Sequence, residues 1–255
     1  MNRIAGKKAL ITGATAGIGE AISKTLAAEG VHLILTGRRN DRLSELKFEL
    51  ENQFQIEVIT LNFDIRSLSE TQKALQTIDL STIDIVVNNA GLAVGTDPLQ
   101  KADIEDWERM IDTNIKGLLY ISRLVSPFMS ARKSGHILNI GSIAGHEAYP
   151  GGIVYTATKH AVNAINKVMK MDLHGSNVRV SMISPGLVNT EFSTVRFKGD
   201  STRAESVYAG MQPLTAQDIA EIAHFILNRP IHVDIMDVLV YPTAQSAATM
   251  VYREL

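Results

Sequence analysis

Residues 9–19 read Ala-Leu-Ile-Thr-Gly-Ala-Thr-Ala-Gly-Ile-Gly, and their reading decides the fold. A short apolar run, Ala9–Ile11, enters a glycine-rich turn, after which Ile18, Ile22 and Leu26 recur at helical spacing. The order is strand, tight turn, helix. Glycines at 13, 17 and 19 let the backbone turn sharply and approach a phosphate, whose charge then sits at the helix N-terminus. The spacing is G-x-x-x-G-x-G rather than G-x-G-x-x-G, and any tight connection can use glycine. Between a first strand and a first helix, the turn reads as a dinucleotide site formed by Gly13, Thr15, Ala16, Gly17, Ile18 and Gly19.

Outward from this turn, short apolar runs alternate with helical stripes. Leu33–Leu35, Val58–Leu61, Ile83–Val87, Ile137–Ile140, Val178–Ile183 and Asp237–Tyr241 read as further strands. Between them lie Leu43, Leu46, Leu50 and Phe54, then Val162, Ile165, Met169 and Leu173, then Ile219, Ile222 and Ile226. Asn40 or Asp41 is expected to cap the second helix and Ser67 the third. Strands apolar on both faces, with helices at the crossovers, predict an α/β fold: a Rossmann-type, doubly wound parallel sheet of about seven strands, helices on both faces. Periodicity lapses only at about 189–212, a polar stretch with Arg196, Lys198 and Arg203 that is expected to be an irregular flap. Residues 1–255 otherwise read as one domain.

Composition narrows the function. Twenty-five basic against 27 acidic residues offer no basic surface for nucleic acid. With no cysteine, disulfides, thiolate catalysis and cysteine-ligated metals are excluded, and the seven histidines show no metal-ligand spacing. The three apolar residues after Lys8 are too few for a signal-peptide core, and no apolar stretch could cross a bilayer. A soluble, cytoplasmic protein without a metal, acting on a small molecule, is expected.

At the end of the second strand, Gly37 occupies the position where a ribose-binding acid would stand, and Arg38 and Arg39 follow. Guanidinium groups there suit a 2′-phosphate, hence NADP, or form a solvated basic turn. Asp64 and Ile65, after the third strand, either bracket an adenine edge or begin a helix. Asn88, Asn89, Ala90 and Gly91 close the fourth strand at the carboxyl edge of the sheet, where doubly wound folds bind ligands. Tyr155 and Lys159, four apart, share a helical face, which sets an ammonium near a phenol that is otherwise too weak an acid for neutral pH. Ser142, thirteen residues earlier, is a donor to the same substrate oxygen. His146 lines the pocket or stands in an exposed loop.

Together these motifs resemble the short-chain dehydrogenase/reductase family over essentially the whole chain. Thr12–Gly19 matches its TGxxxGxG, Asn88–Gly91 its NNAG, Pro185-Gly186 with Thr190 its PGxxxT. Asn114, Ser142, Tyr155 and Lys159 match its catalytic set. The resemblance implies that Tyr155 is the general acid/base and Ser142 polarises the carbonyl. Lys159 binds the nicotinamide ribose and lowers the Tyr155 pKa, Asn114 holds a relay water, and Val188 and Thr190 meet the carboxamide. The family's basic residue before the second motif glycine is absent, Ala16 standing there, so NADP preference rests on Arg38 and Arg39. Gly91–Ala93, Asp106–Glu108, Ile111–Asn114 and Ser193–Asp200 further resemble the family's NADP-dependent 3-hydroxy acid dehydrogenases, also described as serine 3-dehydrogenase or L-allo-threonine dehydrogenase. This implies a short 3-hydroxy acid substrate and a homotetramer; Arg196, with Lys198 and Arg253 behind it, is the candidate for the carboxylate. The alternatives are a carbonyl reductase of neutral or bulky ketones and a non-catalytic NADP-binding sensor.

Overall fold

The computed structural model describes residues 1–254. Seven strands form one parallel sheet: β1 (Lys8–Thr12), β2 (His32–Gly37), β3 (Val58–Asn62), β4 (Ile85–Asn88), β5 (Gly135–Ile140), β6 (Val178–Pro185) and β7 (Asp237–Val240). Their order is β3-β2-β1-β4-β5-β6-β7, so the chain reverses direction across the sheet between β1 and β4. That switch point opens a crevice at the strands' carboxyl ends.

Alternation along the strands builds two cores. Ala9 and Ile11 of β1, with Leu33 and Leu35 of β2, face α1 (Gly17–Ala28), α2 (Asn40–Gln53) and α9 (Ala216–Leu227). Leu10, Ile34, Val86 and Ile137 face the other way, onto α3 (Leu68–Leu75) and α5 (Leu118–Ala131). Burial of each such side chain contributes about 1.5–3 kcal/mol, so no register shift by one residue is tolerated. Helix α4 (Ile104–Ile111) runs through a π-helical turn, Asp112–Gly117, into α5, and the 20-residue α6 (Ile153–Asp172) lies against the β5–β6 half. Among the described residues no helix is long and apolar enough to cross a membrane.

Two local expectations change. Helix α2 begins at Asn40 itself, with Arg39 in the capping position and no side-chain cap, because a guanidinium has no acceptor to offer the helix amides and donates to Thr15 instead. Ser67 does cap α3, accepting from the Glu70 amide. The 189–212 stretch is not irregular: it forms α7 (Glu191–Arg196) and α8 (Ser201–Ser206), capped by Thr190 and Asp200. Six-residue helices are too short to show a periodic stripe. The chain then closes with a hairpin of β8 (Gln245–Ala247) and β9 (Met250–Val251) that carries no clear sequence signal.

The switch point is tight. A Cβ at Gly19 would lie 2.3 Å from the Gly13 carbonyl oxygen and 2.4 Å from Asn89 Nδ2, closer than any real contact. Gly19→Ala should therefore destabilise by about 1–3 kcal/mol, lowering Tm by roughly 3–10 °C in a thermal melt. A Tm within a degree of wild type would show that this packing does not govern the turn.

Candidate active site

A cleft of about 650 Å³ opens at the switch point. Its floor is the glycine turn. Gly13 and Gly17 take positive φ, and a Cβ on Gly13 would come within 3.0 Å of Ala90 Cα, so the backbone itself is bared to the cleft. Ala16 precedes α1 without a side-chain cap, which leaves the first helical amides available to an anion. Thr12 Oγ1 fixes the opposite wall by accepting from the Asn89 and Ala90 amides, 3.0 Å each. Thr15, Ala16, Gly17 and Ile18 line the cleft; Gly19 lies behind it as a packing residue.

The far end of the cleft is basic. Arg39 lays its Nε and Nη2 on Thr15 Oγ1 (3.2 and 3.0 Å) and donates to the Thr15 carbonyl. Arg38 is half-exposed, 3.9 Å from Asp64, whose carboxylate is held mainly by Arg66. A Cβ at Gly37 would meet the Thr15 methyl at 2.8 Å, so the acid that would select a ribose hydroxyl has no room there. Asp64 and Ile65 line this end as expected. Two residues went unread in the sequence: Arg42, one helical turn beyond Arg39, and Glu191, which ion-pairs with both arginines. The i, i+3 spacing of Arg39 and Arg42 was the available signal for the first.

The basic and glycine-lined walls fit a phosphorylated dinucleotide. Ala90, Gly91, Pro185, Gly186, Val188 and Thr190 continue the lining toward the other end. Asn88 does not. Its amide donates to Ser122 Oγ and Asn139 Oδ1 in a buried polar chain that runs through Asn166, and Asn89 faces the cleft in its place. Strand alternation is the reason, since neighbouring side chains on β4 point to opposite faces.

At that end stand Ser142, Tyr155 and Lys159. Tyr155 and Lys159 occupy the first two turns of α6, both buried. The turn after Ser142 packs so closely on α6 that a Cβ at Gly145 would lie 2.6 Å from the Lys159 carbonyl, which locks Ser142 against the pair. Lys159 Nζ donates to the Ile140 carbonyl at 3.0 Å and lies 5.9 Å from the Tyr155 ring centre. Burial lowers the Lys159 pKa to about 8. Burial also raises the Tyr155 phenol above its ordinary value, reinforced by Tyr149, while Ser142 and Arg196 pull it down. Lys159 is not among the groups that lower the phenol in this arrangement; its ammonium sits against the Ile140 carbonyl and is itself poorly solvated.

Arg196 is a second cation at the phenol. Its guanidinium carbon lies 5.5 Å from the Tyr149 ring centre and 5.9 Å from that of Tyr155, and its Nε is buried with no partner. Helix α7 delivers it: Thr190 caps the helix, and the Arg196 carbonyl accepts from the Gly95 amide at 2.9 Å. The lesser candidates lie elsewhere, Lys198 on Asp106 and Arg253 on backbone carbonyls of 207 and 209. His146 does not line the cleft; its ring bonds Ser184 and Asp237 behind Ser142. Asn114 is buried outside the lining too, its amide donating to the Leu92 carbonyl and Thr158 Oγ1 while its oxygen accepts from the Leu92 amide. No group of acidic and histidine side chains suited to a metal occurs among the described residues.

The short chain dehydrogenase family profile matches residues 7–201. The NADP-dependent 3-hydroxy acid dehydrogenase of Escherichia coli K12 is 47% identical over 249 residues, 96% of this chain and 99% of that protein. Its counterpart in Schizosaccharomyces pombe is 40% identical over 257 residues, covering 100% and 99%. Among solved structures, the closed form of serine dehydrogenase complexed with NADP+ is 45% identical with a TM-score of 0.90, covering 97% of this chain and 100% of that one.

The depressed lysine gives a stability test. Lys159 titrates near 8 when folded but near its ordinary 10.5 when unfolded, so the folded state disfavours its charge below pH 8. Between those values the unfolded chain binds more protons, and stability from this group rises with pH. Lys159→Met should therefore gain in Tm relative to wild type at pH 7 more than at pH 10. An equal difference at both would mean the ammonium is comfortably solvated.

Proposed function

The chain belongs to the short-chain dehydrogenase family, and on that footing we propose that it is an NADP-dependent oxidoreductase of small 3-hydroxy acids, interconverting the hydroxyl and carbonyl forms. One observation carries the substrate class. The half-buried guanidinium of Arg196 hangs over the phenol of Tyr155 with its buried Nε unspent. An unmet buried donor is costly, so the cavity favours a ligand that brings an anionic acceptor there. A carboxylate near Arg196 leaves the carbinol of a short acid beside Tyr155 and Ser142.

In this reading the backbone and side chains of Gly13 to Ile18 hold the pyrophosphate. Arg38, Arg39 and Arg42 hold the 2′-phosphate. Asp64 and Ile65 flank the adenine, Ala90 and Gly91 the ribose, and Pro185, Gly186, Val188 and Thr190 the nicotinamide. Asn88 and Gly19 support those walls from behind. NADP+, when bound, supplies the hydride acceptor. Tyr155 takes the carbinol proton during oxidation and returns it to the carbonyl oxygen in reduction. Ser142 donates to that oxygen, and Arg196 fixes the carboxylate so that the carbinol carbon faces the cofactor. Lys159, able to carry or release a proton near neutrality, binds ribose hydroxyls and favours the phenolate. Asn114 positions Gly91–Leu92 against α6, since its side chain is committed to those partners.

The same proposal includes a homotetramer with α5 and α6 at one interface, supported by the exposed Leu119, Phe128, Val168 and Met171 on those helices. A cytoplasmic setting goes with it, because its coenzyme is one held inside cells. The chain is treated as one catalytic unit, with α7 and α8 as the flap over the substrate.

Steady-state kinetics test the reading. Arg196→Ala should lower kcat/KM for 3-hydroxypropionate by roughly 10–100-fold, as for a lost charge-assisted contact, and spare its methyl ester. Equal losses on both would favour a reductase of neutral ketones. Tyr155→Phe should cut turnover by about 100-fold or more while NADPH binding persists; a drop under tenfold would remove Tyr155 from the proton transfer.

A further inference from the structure

One ion-pair cluster joins the basic end of the cleft to the helix that carries Arg196. Glu191, the first residue of α7, accepts from Arg39 Nη1 through one carboxylate oxygen (2.9 Å) and from Arg42 Nη1 through the other (2.6 Å). Arg39 spends its remaining edge on Thr15, and Arg38 is only loosely near Asp64. Two guanidinium groups thus share one bridging carboxylate, with Arg38 beside them, in the region assigned above to the 2′-phosphate. All four side chains are between 40% and 53% exposed, so an incoming anion can reach them.

We propose that Glu191 competes with the cofactor's 2′-phosphate for Arg39 and Arg42, weakening the grip on NADP and linking the state of that pocket to the start of α7. The inference rests on the NADP reading given above. A phosphate monoester brings close to two negative charges at neutral pH, and a carboxylate on the same donors opposes it. Glu191 stays anionic throughout that range, because its bonds to Arg42 and Arg39 hold its carboxyl below the usual value. The other end of α7 is fastened separately, by the Gly95–Arg196 backbone bond and the Lys198–Asp106 ion pair. Six residues therefore carry an anion that answers to the cofactor and a cation that answers to the substrate. A phosphate that takes the arginines releases the Glu191 end while leaving the Arg196 end fastened.

Calorimetric titration with adenosine 2′,5′-bisphosphate and with 5′-AMP isolates the phosphate contact without turnover. Glu191→Gln should tighten the bisphosphate by roughly two- to fivefold, the scale of an exposed ion pair, leaving 5′-AMP unchanged. Added salt should shrink the difference. Glu191→Asp, which keeps the charge but withdraws it by a methylene, should tighten binding less, and serves if the glutamine variant melts early. If wild type binds both nucleotides equally, the NADP reading itself fails. If wild type prefers the bisphosphate but Glu191→Gln leaves its affinity unchanged or weaker, the NADP reading stands and the competition is refuted.

Discussion

Everything at the cleft depends on how closely two pieces of backbone approach where the sheet reverses. The turn after β1 and the end of β4 meet with no room for a methyl group at Gly13 or Gly19, and Thr12 and Asn89 stitch them with four hydrogen bonds through backbone groups. Hydrophobic burial on either side of the sheet holds the strands, but this junction decides what the strands present. It bares amides instead of side chains along the floor, and it sets the ends of β2, β5 and β6 at fixed offsets from that floor.

From there the charges follow a simple division. The cofactor end gathers Arg38, Arg39 and Arg42, exposed enough to exchange partners. The other end has Lys159, buried, and Arg196, half-buried with its Nε out of solvent, so both act at lower dielectric than the exposed arginines. Burial alone would leave Tyr155 a poor acid-base group, too reluctant to ionise. Ser142 and Arg196 pull the phenol back only in part, while Lys159 is turned to Ile140. The residue that α7 brings, proposed for substrate recognition, thus also lies against the phenol.

Much of this was legible in the sequence, because strand and helix periods and the glycine turn are local signals. Each of the seven strands was visible, and Ser142, Tyr155 and Lys159 were brought together as their spacing implied. What escaped depended on side-chain direction or on long-range partners. Asn88 belongs to a polar chain across four elements, and no spacing in β4 reveals that it points away from the cleft. His146 was pulled behind Ser142 by Asp237, ninety-one residues further along. Glu191 and Arg42 are unremarked charges in sequence, paired only because α7 crosses to α2. Helices α7 and α8 are shorter than the window any periodic reading needs.

In the proposed reaction Arg196 reads the carboxylate while Tyr155 and Ser142 hold the reacting oxygen. The most direct measurement is a crystal structure of the protein with NADP+ and 3-hydroxypropionate. A carboxylate oxygen should lie within hydrogen-bond distance of Arg196 Nε and the hydroxyl within reach of both Tyr155 Oη and Ser142 Oγ. A carboxylate bound elsewhere, with Arg196 Nε still unpartnered over the Tyr155 ring, would contradict it.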